Sequence, residues 1–291
     1  MADSTSVREP EATPTSPVAP VPAVGTRLSA EEIHENVREA AESEMRRSAW
    51  ALFWSALGAG LTISFSFLAA GYLAMQVPDA WRPAAAAAGY PLGFIFVVLA
   101  RSQLFTENTL EPIIPLLNDP SARMLGRVLR LWAIVLFGNL LGALIIAWAL
   151  ARSPVVDATL SQSLGRLAVE STSGGFQTVF YRAIFAGWLV ALMAWLVAST
   201  SLTGAQIALI WLTTAPIAAF GFRHSIAGAV EAFYRVGIAS APWSAMLGQF
   251  IAPAVLGNIV GGALLVGLVN HGQVAADRTF EESWQQRWGP R

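Results

Sequence analysis

The stretch WALFWSALGAGLTISFSFLAAGYLAM, residues 50–75, contains no charged side chain, and that property restricts the fold more than any other. A helix rises 1.5 Å per residue, so about 20 apolar residues cross the hydrocarbon of a bilayer. A second run, LWAIVLFGNLLGALIIAWALA (131–151), meets the same requirement. Helices on the surface of a soluble domain are apolar along one stripe, whereas these runs are apolar all round. The chain therefore belongs in a lipid bilayer. Composition agrees, with 55% of residues hydrophobic and 13% charged, against about 25% charged in soluble domains.

Several function classes fall away on the same evidence. The net charge of −1 offers no basic surplus for nucleic acid, which is not expected as a partner. The chain has no Cys, which excludes disulfides, thiolate catalysis and cysteine-held metals. Its three His are dispersed and no serine-nucleophile or metal-ligand spacing occurs, so an enzyme has no catalytic set to work with and no metal or cofactor is expected.

Residues 1–28 are rich in Pro, Ala and Thr without a signal-peptide pattern, and are expected to be a disordered tail. Residues 29–47 read as an amphipathic helix at the membrane surface. Ser29 and Glu32 have capping-box spacing, and Ile33, Val37 and Ala40 share a face. His34 falls on the polar side, where solvation is expected. Six hydrophobic elements follow within a membrane domain of residues 48–270, and residues 271–291 form a polar tail that begins at an interfacial His271. The elements are 48–76, a second from 84 interrupted by RSQLFTENT (101–109), then 125–151 and 176–199, a fifth from 205 to 236 broken around 220–224, and 247–270. Arg placement favours a cytoplasmic location for both termini, because that side then collects the larger share.

The third and sixth elements share a pattern, FGNLLGALIIAW (137–148) and LGNIVGGALLVGL (256–268). The register that aligns Gly138 with Gly257 also brings Thr106 onto Ser225, so an internal duplication is expected. Each half holds three spans, an odd number, and successive halves must cross in opposite senses. The fold class is thus all-α integral membrane, with six transmembrane helices in two inverted three-helix repeats and the second and fifth helices broken. Gly138 with Gly142, and Gly257 with Gly261, allow helices to approach closely. Asn139 and Asn258 are expected to bond the backbone exposed at the breaks.

Irregular backbone at membrane depth survives only inside protein or along a water-filled cavity, and an ionisable residue there is a functional candidate. His224, within AAFGFRHSIAGAVEAF (218–233), is the strongest. Burial favours its neutral ring, which can exchange a proton with a weak acid so that the permeant crosses uncharged. Thr106 can hydrogen-bond His224 or cap the half-helix that follows it, as Ser225 can cap the other. Arg101, Glu107, Arg182, Arg223 and Glu231 each cost roughly 2.5–3.5 kcal/mol if left facing lipid. Ion pairing is the simplest account, with Glu107–Arg223 or Arg101–Glu231 as candidates. A pore charge supplied by Arg101 or Arg223 is the other.

The motifs LFTENT (104–109), FGNLLGAL (137–144), GFRHSIAG (221–228) and LGNIVGGALLVGL (256–268) resemble, in order and spacing, those of the formate/nitrite transporter family, with most likeness to its YfdC-type branch. The resemblance implies an aquaporin-like fold assembled as a homopentamer in a bacterial inner membrane, with a pore in each subunit for small monovalent anions or their conjugate acids. It assigns the central His to His224 and the Thr of the broken helix to Thr106. It places cytoplasmic constrictions at Leu104, Phe94 and Val190, and outer ones at Phe105, Tyr90 and Ile217. Departures from the family pattern are Arg101 and Gln103 ahead of LFT, Arg223 before the His, Gly187 for an Asn, and Ser171 for a basic residue at the outer entrance. The expected function is a proton-linked anion channel or transporter. The alternatives are an aquaporin-like facilitator of neutral solutes and a non-transporting membrane scaffold.

Overall fold

The structure, a computed structural model, describes residues 28–288. The tail expected over residues 1–28 lies outside these, apart from Leu28. Helix α1 (Ala30–Arg46) begins at Ser29, whose hydroxyl accepts from the Glu32 N–H while the Glu32 carboxylate accepts from the Ser29 N–H at 2.7 Å. Helices α2 (Ala49–Thr62) and α3 (Ser64–Met75) make one span that bends at Ile63. A second span is built from α4 (Arg82–Gly89) and α5 (Pro91–Leu99), and the chain then turns irregularly until α6 (Ile113–Asn118). There follow α7 (Ala122–Arg152), α8 (Ala158–Ser171), α9 (Phe176–Val197), α10 (Thr203–Ala219) and α11 (Ser225–Gly237). The last helical run comprises α12 (Trp243–Ala245), α13 (Ala252–Ile259) and α14 (Val269–Trp288), joined by π-helical stretches at Met246–Ile251 and Val260–Leu268. Among the described residues five helices, Ala49–Met75, Asp79–Leu99, Ala122–Arg152, Phe176–Val197 and Trp243–Glu281, are long and apolar enough to cross a membrane, and Thr203–Ala219 is a shorter apolar helix.

Two crossings organise the bundle, and they have the same construction. Gly138 and Gly142 of α7 press on the α2 backbone, where an added Cβ would meet Phe53, Ala56 and Leu57. Gly257 and Gly261 press in the same way on Phe180, Ala183 and Ile184 of α9. In return Gly60 abuts the Asn139 carbonyl and Gly187 abuts the Asn258 carbonyl. Backbones this close leave no room for a methyl group, which explains both the paired glycines and why Gly187 carries no side chain. The outer wall stays apolar, with Trp54, Phe137, Phe185 and Leu212 each more than two-fifths exposed. Such a surface is suited to lipid or a neighbouring subunit.

Three expectations change in the structure. First, residues 158–171, between the third and fourth hydrophobic elements, form α8, capped by Asp157 accepting from the Leu160 N–H at 2.8 Å. Second, residues 271–288 continue the last span as helix. Third, the buried face of α1 is His34, Val37, Ala41 and Met45, not Ile33, Val37 and Ala40. The helix packs on protein, against α6, α9 and α14, so the face that is buried is set by those partners rather than by hydropathy. His34 is 1% exposed, and its Nε2 lies 3.3 Å from His271 Nδ1 with the Trp195 ring edge-on beside it. Arg278 of α14 closes the contact with Glu31 at 2.7 Å.

Desolvation, and then the neighbouring His271 and Arg278, hold the His34 pKa below its ordinary value of 6.5. Folded α1 therefore keeps this ring neutral where a freed α1 would bind a proton. The undocked state takes up more protons below about pH 6.5, so docking is full above that pH and weakens as pH falls through the depressed value. Hydrogen exchange across residues 33–41, corrected for intrinsic rates, is expected to accelerate on acidification, and His34→Gln is expected to remove most of that response.

Candidate functional site: two helix breaks around His224

Both breaks begin with the same helix ending. After α5, Arg101 adopts a left-handed backbone (φ 51°), with Arg101 N–H donating to Val98 O and Ser102 N–H to Val97 O. After α10, Gly221 does so (φ 64°), with bonds to Ala218 O and from Phe222 N–H to Ile217 O. This is the capping geometry in which glycine is favoured and a side chain costs roughly 1 kcal/mol. Arg101 therefore serves as a helix stop, and its side chain is exposed.

Each break is then clamped by one asparagine. Asn139 Oδ1 accepts from Phe105 N–H at 2.8 Å, and its Nδ2 donates to Ala56 O and Gln103 O, both at 2.8 Å. Asn258 Oδ1 accepts from Ser225 N–H at 2.7 Å, and its Nδ2 donates to Ala183 O at 2.8 Å and Arg223 O at 3.0 Å. Both residues are fully buried. A neutral amide is the side chain that supplies one acceptor and two donors from a single short stem. These contacts pair Phe105 with Ser225 and so Leu104 with His224. The register that put Thr106 on Ser225 is therefore off by one residue at the breaks.

His224 is the N-cap of α11. Its Nδ1 accepts from Ala227 N–H at 3.0 Å, and its Nε2 lies 2.7 Å from Thr106 Oγ1. An Nδ1 that accepts a backbone N–H carries no proton, so the ring's hydrogen is on Nε2 and points at Thr106. Thr106 belongs to this pair and caps no helix, since α6 starts seven residues later, after Pro112. The stretch between Thr106 and α6 stays irregular, and Pro112, which lacks an N–H and disfavours helix at Glu111 before it, keeps the expected half-helix short. Ser225 caps nothing either, and its hydroxyl is buried without a partner. Phe94 packs edge-on against His224, with ring centroids 4.9 Å apart, and Tyr90 lies against Phe94 at 5.4 Å.

A cavity of about 550 Å³ runs from the α8 side of the bundle down to His224 and Tyr90. Its walls include Arg82, Arg166, Arg182 and Arg223 together with Asp79, Glu170 and Glu231. Sequence reasoning missed the role of α8 in this wall. The signal was present in Asp157 followed by the spaced apolar residues Leu160, Leu164 and Leu167. Leu104, Phe94, Val190, Phe105 and Ile217 are all buried in one apolar cluster with Tyr90. Of the six constriction residues only Tyr90 lines the cavity, while Phe105 packs edge-on against Trp132.

Neither expected ion pair forms. Among the described residues the ion pairs are Arg38 with Glu35 and Glu42, Arg46 with Glu42, Arg47 with Glu44, Arg82 with Asp79, and Arg278 with Glu31. Arg101 is exposed while Glu231 is buried, and Glu107 does not reach Arg223. Arg223 Nη2 instead donates to Glu170 O at 3.1 Å and Ser173 O at 3.3 Å, while its Nε is buried without a partner. Glu170 lies in the last turn of α8, whose carbonyls carry partial negative charge and favour a cation. Arg223 is 4% exposed, and its charge is held in the cavity wall without a carboxylate in contact.

The comparisons with known proteins agree on one family. A sequence model described as formate/nitrite transporter matches residues 31–272. The inner membrane protein YfdC of Escherichia coli (strain K12) is 35% identical over 88% of this chain and 82% of its own length. A probable formate transporter of Methanothermobacter thermautotrophicus is 32% identical over 71% of this chain and 86% of its own. Among solved structures, an FNT family ion channel superposes with a TM-score of 0.72 at 22% identity, covering 85% of this chain and 99% of that one. A pentameric formate channel with formate bound superposes with a TM-score of 0.64 at 26% identity, covering 76% and 95%. With its all-helical fold, its apolar spans and this match across most of its length, the chain belongs to the formate/nitrite transporter family.

Proposed function

We propose that this protein is a proton-linked channel or transporter for small monovalent anions, crossing largely as their conjugate acids. Six spans in two inverted repeats bring both clamped breaks to the bilayer midplane, with both termini on the cytoplasmic side of an inner membrane. Five subunits surround an axis, each with its own route, and the exposed apolar wall is divided between lipid and neighbours. The observation that carries the reading is the His224–Thr106 pair at the floor of a polar cavity, between two breaks that are each clamped by an asparagine. An anion entering the cavity meets the Arg223 guanidinium, then a hydrogen-bonded imidazole, then the apolar side chains of Phe94, Leu104 and Val190. A bare charge pays a heavy desolvation cost in such surroundings, whereas a neutral acid does not. His224 hands a hydrogen bond across that boundary, and Tyr90, Phe105 and Ile217 narrow it.

Uptake of formate, nitrite, acetate and lactate into proteoliposomes tests the reading, with and without an inward proton gradient. Flux that rises with the gradient for at least one of them is expected. Background flux for all, with raised water permeability, favours the neutral-solute facilitator, and background water permeability as well favours the scaffold. Arg223→Gln is expected to preserve the pentamer and raise the apparent KM about tenfold with a smaller change in maximal rate, as for a group that binds before the narrow zone.

A further inference from the structure

The vestibule holds a carboxyl group that anion passage alone does not require. Glu231 is on α11 about two turns beyond His224, on the same helix face. It is 5% exposed and lines the cavity together with Arg223 and Tyr90. A carboxylate beside an anion's path repels it, so the position needs a reason. No ion pair joins Glu231 to Arg223, whose guanidinium is turned to the carbonyls of Glu170 and Ser173. A guanidinium and a carboxyl group, both buried and lining one cavity without closing on each other, form a slot. The occupant that satisfies both has an anionic end and a hydrogen-bond donor.

We infer that Arg223 and Glu231 form a two-point receptor for short 2-hydroxycarboxylates, an inference that rests on reading the cavity as an anion vestibule. The guanidinium takes the carboxylate, and the Glu231 carboxylate accepts from the hydroxyl. An ammonium group fits the same acceptor, but it would carry a full charge into the apolar zone of Phe94, Leu104 and Val190, which are fully buried. A second carboxylate on the ligand would be repelled by Glu231. The volume of about 550 Å³ is within the range of small-molecule sites, so a three-carbon acid fits.

Competition in proteoliposomes decides the matter, with glycolate set against acetate, lactate against propionate, and glycine as the ammonium counterpart. For the wild type, each hydroxy acid is expected to compete at about tenfold lower concentration than its deoxy partner, the value of a hydrogen bond to a charged acceptor. Glu231→Leu is expected to bring that ratio near one. Glu231→Gln, which keeps an acceptor oxygen, should retain a few-fold preference. Arg223→Gln should weaken both members of each pair together. Equal use of the paired acids by the wild type, a preference that survives Glu231→Leu, or glycine outcompeting glycolate overturns the receptor. If the Leu variant does not assemble, the wild-type ratio and the Gln variant decide. Absence of flux for every carboxylate overturns the vestibule reading itself, whereas flux without hydroxyl preference overturns only the receptor.

Discussion

His224→Asn is expected to give a folded, assembled protein whose anion flux falls at least tenfold and loses most of its dependence on the proton gradient. The choice of Asn matters because His224 performs two tasks that a shorter amide separates. One is to cap α11 through the Ala227 N–H at 3.0 Å, and Asn is among the better N-cap residues. The other is to reach Thr106 Oγ1 at 2.7 Å, which the Asn side chain is too short to do. Thermal stability should therefore stay within a few degrees of wild type while transport collapses. His224→Ala removes the cap as well and should cost about 1 kcal/mol more. Full flux in the Asn variant, measured in the same proteoliposomes, would reduce His224 to a helix cap.

The largest loss of stability is expected from Asn258→Leu. Leucine matches the volume but leaves Ser225 N–H, Ala183 O and Arg223 O without the partners they now have at 2.7, 2.8 and 3.0 Å. A buried backbone group deprived of its bond costs about 1–3 kcal/mol, and Asn258 and Ser225 are 0% exposed, out of reach of a replacing water. A combined loss of about 3 kcal/mol or more should lower the melting temperature by about 10 °C or prevent assembly. Asn258→Asp keeps the acceptor and loses both donors, so it should fall between Leu and wild type. Asn139→Leu should repeat the pattern at the other break. A Leu variant as stable as wild type, by thermal unfolding in detergent, would mean that the clamp carries no weight.

Much of this arrangement can be read from residue order, because a bilayer leaves a chain few options. Uncharged runs above a threshold length must span, and the polar interruptions at 101–109 and 220–224 had to be housed inside protein. The paired GN segments pointed to paired crossings. Where residue order and structure differ, a contact between residues distant in sequence decides. The register at the breaks depends on which N–H each asparagine receives, and hydropathy does not report that. His34 looked solvated because α14 and Trp195, which cover it, are far away in sequence. The ion pairs were expected from charge alone, yet Arg223 reaches carbonyls at the end of α8, a helix that the sequence reading did not include. Arg101 was weighed as a charge and turned out to matter for its backbone.

The cap on α11 has one consequence for how the ring can work. Because Nδ1 is already occupied by the Ala227 amide, an extra hydrogen can enter there only after that amide lets go. Charging the imidazole and loosening the first turn of α11 are therefore a single event. Under the proposed function, each protonation of His224 flexes the helix that bears Glu231 and so couples the proton step to the shape of the cavity.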